Sequence, residues 1–194
     1  RHEFAGTLAG LLHPYALLLA VTTLALFMMH GAIYALMKTD GPLHDRLRGW
    51  ITNCIIFFII CYAITTMATL LYVPHMAARV RAHPALFSVA LLNMLAIANV
   101  PREIHRGRDG RAFVSSAVAM AALMGLFGLE LYPHLVLSNP VPAHSLTIHN
   151  AASSPKTLGI MATIALIGVP IVLAYTVSIY WIFRGKVRLT PMSY

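Results

Sequence analysis

The sequence is dominated by apolar runs long enough to cross a lipid bilayer. An α-helix rises about 1.5 Å per residue, so a hydrocarbon core of ~30 Å is crossed by roughly 20 apolar residues. The runs are Leu8–Met37, Trp50–Val73, Ala85–Val100, Ala112–Tyr132 and Thr157–Phe183. A water-soluble fold of 194 residues has no interior large enough to hide them. Only 10% of the residues are charged and 59% are hydrophobic, against about 25% charged in a soluble domain. Disorder, a nucleic-acid-binding domain and an ordinary soluble enzyme are excluded. An all-α integral membrane protein with five transmembrane helices is predicted.

The punctuation between the runs supports that division. His13-Pro14 suits the start of the first helix, because proline at the first turn forfeits an N–H that has no partner there. Lys38-Thr39-Asp40-Gly41-Pro42 stops that helix. Trp50 and Tyr72 flank the second run as interfacial anchors. The third is short and carries Asn93 and Asn99, which weaken it. Pro170 lies within the fifth and is predicted to kink it near Gly168. The segment from Pro133 to Lys156, with Pro140, Pro142 and Pro155, reads as an ordered loop outside the membrane.

The net charge of +8 tests this topology. Lys38, Arg46, Arg48, Arg102, Arg106, Arg108, Arg111, Arg184, Lys186 and Arg188 fall on one side of five spans. Arg1, Arg79, Arg81 and Lys156 fall on the other. Ten of the 14 cations therefore share a side, which the positive-inside rule assigns to the cytoplasm. The N-terminus is predicted outside and the C-terminus inside.

Few residues offer chemistry. Glu130 is the one acid within a predicted span, which makes it a candidate for proton relay or cation binding. Its place just before Tyr132-Pro133 reads instead as a solvated position at the outer interface. His13 and His30 are potential haem or metal ligands. They stand about 25 Å apart along one helix and cannot share a metal. Capping for His13 and packing near the inner helix end for His30 are the plainer roles. His75, His83, His134, His144 and His149 match no zinc spacing. Cys54 and Cys61 share a helix face about 10 Å apart, too far for a disulfide. The methionines are scattered as gap fillers. Ala117, Ala121 and Gly125 form a small-residue stripe that admits another helix closely. No catalytic, cofactor-binding or metal-binding residue is assigned.

Several strings carry a family resemblance. They are His13-Pro14-Tyr15-Ala16-Leu17-Leu18, Met29-His30-Gly31-Ala32-Ile33-Tyr34 and Met37-Lys38-Thr39-Asp40-Gly41. Later come Ser145-Leu146-Thr147-Ile148-His149-Asn150-Ala151-Ala152-Ser153-Ser154-Pro155-Lys156-Thr157-Leu158, Val169-Pro170-Ile171-Val172-Leu173-Ala174-Tyr175-Thr176 and Phe183-Arg184-Gly185-Lys186-Val187. In order, they resemble subunit II of the cytochrome bd-type quinol oxidases. Val73–Arg111 resembles the family mainly in hydropathy. The chain begins at Arg1 rather than Met and resembles only the second half of that subunit. His13 where Asn is more usual, Glu130, and a short outer loop between the second and third spans depart from the family pattern.

The resemblance implies a four-helix transmembrane bundle over 1–132, a periplasmic loop over 133–156, a final, peripheral transmembrane helix over 157–184 and a cytoplasmic tail over 185–194. It implies a multi-pass protein of the bacterial inner membrane, within a complex that oxidises quinol and reduces dioxygen to water. Subunit I is the implied partner and ligates haem b and haem d. A small single-helix accessory subunit, membrane lipid and quinone complete the implied partners, with no nucleic acid. No family catalytic residue maps onto this chain. Half of a secondary membrane transporter is the alternative, drawn from Pro170 and Asn93. A haem protein using His13 and His30 is a third reading.

Overall fold

The computed structural model describes residue 10 and residues 12–73, 84–138 and 141–187. Its helices are α1 (Pro14–Lys38), α2 (Gly41–Tyr72), α3 (Pro84–His105), α4 (Asp109–Leu131) and α5 (Pro155–Ile182). Among the described residues, α1, α2, α4 and α5 are long and apolar enough to cross a membrane. A two-stranded antiparallel ribbon, β1 (His134–Val136) with β2 (Leu146–Thr147), joins the helices that were predicted. Arg1, Arg79, Arg81, Arg188, His75, His83 and the short outer loop lie outside the described residues.

The chain divides into two compact units, 1–130 with 187–194, and 131–186. In the first, α1 and α2 form the closest helix pair. Thr22, Leu26, Met29, Ile33 and Leu36 are buried on α1, in alternating steps of four and three. Ile51, Ile55, Phe58 and Thr65 are buried on α2, with half-buried Tyr62 and Thr69 continuing the same rhythm. That spacing is the seam of a coiled-coil-like antiparallel pair. Ala96, Ile97, Val100 and Ile104 of α3 and Ala112 and Ala119 of α4 complete one core with it.

The α1–α2 connection is tighter than the sequence suggested. The segment after Lys38 was predicted to be a loop reaching Trp50, yet α2 begins at Gly41. Only Thr39 and Asp40 separate the helices. Gly41 adopts φ +65°, a left-handed conformation suited to glycine, and Pro42 then opens the next helix. The Gly41-Pro42 step therefore starts α2, while α1 has already ended at Lys38 with Thr39 extended. Two carbonyls of the last turn of α1 find side-chain donors. The Thr39 hydroxyl donates to Ala35 O at 2.9 Å and the His44 imidazole to Leu36 O at 3.1 Å. Arg46 and Arg48 are consequently helical.

The third run also ends later than predicted, at His105 rather than Val100, and passes through Pro101. Its end is a Schellman motif. Arg108 N–H donates to Glu103 O at 2.9 Å and Gly107 N–H to Ile104 O at 3.0 Å, with Gly107 at φ +70°. These bonds satisfy carbonyls of the last turn that the end of the helix leaves without intrahelical donors. At the other end, α5 is a continuous helix past Pro170.

The predicted stripe on α4 is not the face that packs within the unit. Ala121 and Gly125 are exposed and Ala117 is half-buried, whereas Ala112, Ser116, Ala119 and Ala122 are buried. Both rows are small, and burial follows the row that faces the core. Cys54 and Cys61 are free thiols, and Cys61 belongs to the core.

In the second unit, the Ser145–Asn150 string forms a hydrogen-bonded turn. Ser145 is 3% exposed and accepts from Ser138 N–H at 3.1 Å. The Asn150 side chain accepts from Thr147 N–H at 2.7 Å and donates to Ser145 O at 3.0 Å. Ser154 then caps α5 by accepting from Thr157 N–H at 3.3 Å.

Replacing Gly107 by alanine should lower the thermal stability of the purified membrane protein. The added Cβ meets only Arg48 Nη1, at 3.8 Å, so the cost is the left-handed backbone, about 1–2 kcal/mol. Gly110→Ala, with open space around its Cβ, should be neutral or slightly stabilising. Equal melting temperatures for the two variants would contradict the motif.

Candidate functional site

The polar side chains of the first unit form a series of inter-helix pairs. Near the start of α1 and the end of α2, Thr69 donates to Thr65 O at 2.8 Å, so Tyr15 OH is the donor in the 2.8 Å bond to Thr69 Oγ1. Deeper, Thr22 donates to Leu18 O at 2.9 Å and Thr65 donates to Thr22 Oγ1 at 2.6 Å. The Tyr15–Thr69 and Thr65–Thr22 bonds tie α1 to α2. Next, Asn93 of α3 donates to Tyr62 OH of α2 at 3.0 Å. Asn93 is fully buried, and its Oδ1 has no hydrogen-bond partner among the described residues. Asn99 donates to Ser115 Oγ of α4 at 2.8 Å. The two asparagines read as weaknesses of the third helix thus join it to its neighbours. Inter-helix side-chain bonds of this kind contribute roughly 0.6 kcal/mol each within a membrane.

His30 belongs to the same series. Ser116 donates its one hydroxyl hydrogen to Phe113 O at 2.8 Å. His30 Nδ1–H is therefore the donor in the 2.8 Å bond to Ser116 Oγ, and Nε2 carries the free lone pair. The imidazole stacks on Phe113 with centroids 4.7 Å apart. His30 thus packs against α4 through Ser116 and Phe113. His13 caps α1, its Nδ1 accepting from Tyr15 N–H at 3.3 Å.

The series ends in a charged cluster at the α3–α4 turn. Arg48 of α2 pairs with Asp109 Oδ1 at 2.9 Å. Asp109 also lies in the first turn of α4, where a negative charge suits the helix dipole. Glu103 is 4% exposed and lies 3.8 Å from Arg106 and 4.0 Å from Arg108. In the Schellman motif the side chains of Glu103 and Arg108 occupy the positions that usually make an apolar contact. An ion pair replaces it here. The sequence reading missed Glu103, because it ended the helix at Val100. The Pro-Arg-Glu step followed by Gly107 was the available signal.

Glu130 also differs from expectation. It is half-buried and both carboxylate oxygens are shielded from solvent, rather than solvated at the helix end. Distance from Pro133 gives its depth but not the direction of its side chain. Among the described residues, no three His, Cys, Asp or Glu side chains converge as a metal site.

Removing the Glu103 carboxylate should destabilise this end of the bundle. Both arginines are about half in solvent, so the loss is about 1–2 kcal/mol rather than that of a fully buried pair. Glu103→Ala should lower the melting temperature by about 2–8 °C, and Glu103→Gln by less. Unchanged melting in Glu103→Ala would contradict a structural role for the pair.

Comparison with known proteins places this arrangement. Residues 2–183 match the sequence profile of the family described as cytochrome bd terminal oxidase subunit II. The chain is 25% identical over 213 residues to the cytochrome bd-I ubiquinol oxidase subunit 2 of Escherichia coli K12, covering 96% of this chain and 56% of that one. It is 27% identical over 185 residues to the cytochrome bd ubiquinol oxidase subunit 2 of Bacillus subtilis, covering 94% and 54%. A probable cytochrome oxidase subunit 2 of Haemophilus influenzae is 28% identical over 214 residues, covering 94% and 55%. The chain thus spans about half the length of the curated relatives it matches. With the match extending over nearly all of its helices, the chain belongs to the cytochrome bd terminal oxidase subunit II family.

Proposed function

We propose that this chain is a supporting, haem-free part of the second subunit of a bd-type quinol oxidase. The complex would oxidise quinol, reduce dioxygen to water and build a proton-motive force by taking protons from the cytoplasm and releasing them outside. Its redox centres, haem b and haem d, would reside in subunit I. A single-helix accessory subunit, lipid and quinone are the further partners. The family match over residues 2–183 carries this reading.

In this reading five helices span the inner membrane of a bacterium, with the N-terminus outside and the C-terminus inside. Residues 1–132 form the bundle, 133–156 a periplasmic loop, 157–184 the final span and 185–194 the cytoplasmic tail. The exposed Ala121 and Gly125, with Ala117, form the proposed packing face toward subunit I. The polar groups of the bundle support a scaffold role, because they are largely engaged with one another. His13 serves as a cap, and His30 is held by Ser116 and stacked on Phe113. No residue of this chain is proposed to bind haem, quinol or metal.

Purification through a tag on this chain should recover a second membrane subunit, d-type haem absorption and quinol-dependent oxygen consumption. A purified complex lacking both the absorption and the activity would overturn the assignment. Orientation has its own test, with Cys54 and Cys61 replaced by alanine. A cysteine at His149 should react with an impermeant maleimide from outside, and one at Lys186 only after the membrane is opened. The reverse pattern would overturn the topology.

A further inference from the structure

Between α3 and α4 lies a cleft of about 380 Å³ whose chemistry changes along its length. Its apolar walls are Leu92, Leu95, Val114 and Val118, and its polar part is Asn99, Ser115 and Arg102. On α3, Leu92, Leu95, Asn99 and Arg102 follow in steps of three and four, so they share a face. On α4, Val118, Ser115 and Arg111 do the same. Both rows run from apolar residues, through a hydrogen-bonding residue, to an arginine.

Among the described residues, the charge at that end is not fully paired. Arg48 has Asp109, and Arg106 and Arg108 have Glu103. Among the described residues Arg102 has no carboxylate partner. Its guanidinium donates to the neutral Asn99 Oδ1 at 3.3 Å, and Asn99 is itself held by Ser115 at 2.8 Å. Arg102 is exposed and oriented, as is suited to binding an oxyanion from outside the chain.

We infer that this cleft binds an anionic phospholipid. One acyl chain lies along Leu92, Leu95 and Val118. The ester region meets Asn99 and Ser115, and the phosphate meets Arg102 and Arg111. A zwitterionic headgroup offsets its phosphate with its own cation, whereas an anionic headgroup brings a net negative charge to the two arginines. The cleft therefore selects charge as well as an apolar tail. Electrostatic attraction to anionic lipid adds about a fivefold preference for each basic residue near the surface.

The test uses the native membrane complex that carries this chain, reconstituted in nanodiscs. They contain photoactivatable diazirine phosphatidylglycerol, or phosphatidylcholine with the same acyl chains, and labelled peptides are mapped by mass spectrometry. Phosphatidylglycerol should label Leu92–Arg102 and Arg111–Val118 at least fivefold more than phosphatidylcholine in the wild-type protein. Arg102→Gln with Arg111→Gln should remove that preference, and Arg102→Lys should retain most of it. Val118→Trp, which fills the cleft, should suppress labelling by either lipid. Equal labelling by the two lipids in the wild type would overturn the inference, and that comparison needs no variant to fold. Cross-links from the cleft to another protein chain in place of lipid would overturn it as well.

Discussion

A polar group inside a bilayer has no water to turn to, and this constraint organises the first unit. The helices satisfy their backbone groups internally. Their few polar side chains then bond to a carbonyl one turn back or to a partner on a neighbouring helix, at a depth set by position along each axis. Thr22 meets Thr65, Asn93 meets Tyr62, Asn99 meets Ser115 and His30 meets Ser116. Each bond contributes modestly, yet each is available in only one register. Apolar packing supplies much of the contact area, while the polar pairs make a slipped helix costly. The charged cluster adds a last fixed point, where Arg48 of α2 meets the turn between α3 and α4.

Helix existence was legible because bilayer thickness and hydropathy set it directly. Helix ends were less so, because proline was read as a stop. Pro42 begins a helix immediately after Gly41, and Pro101 is passed because the Gly107 turn closes α3 beyond it. Whether a proline stops, starts or interrupts a helix depends on donors and acceptors several residues away. Burial direction was the other difficulty. The α4 stripe lay one row away from the buried small residues, and the Glu130 oxygens are shielded rather than solvated. A one-residue rotation around a helix is about 100°, so spacing alone does not say which row turns inward.

The candidate site was legible in its histidines and not in its acid. His13 stands next to Pro14 at a helix start, a capping context readable from sequence. Glu103 required knowing that α3 extends to His105. The asparagines carried the opposite lesson. Mean hydropathy treats them as losses, whereas inter-helix geometry makes them ties.

His30 bears most directly on the proposal that this chain is a haem-free scaffold. Its Nδ1–H is given to Ser116, which leaves Nε2 with an available lone pair. The decisive measurement is the reduced-minus-oxidised visible spectrum of the purified complex carrying His13→Asn and His30→Gln. Both replacements keep a hydrogen-bonding side chain in place. For a scaffold, every haem band should stay at wild-type position and intensity per complex. Loss or displacement of any one band would show that this chain holds a haem, and would contradict that proposal.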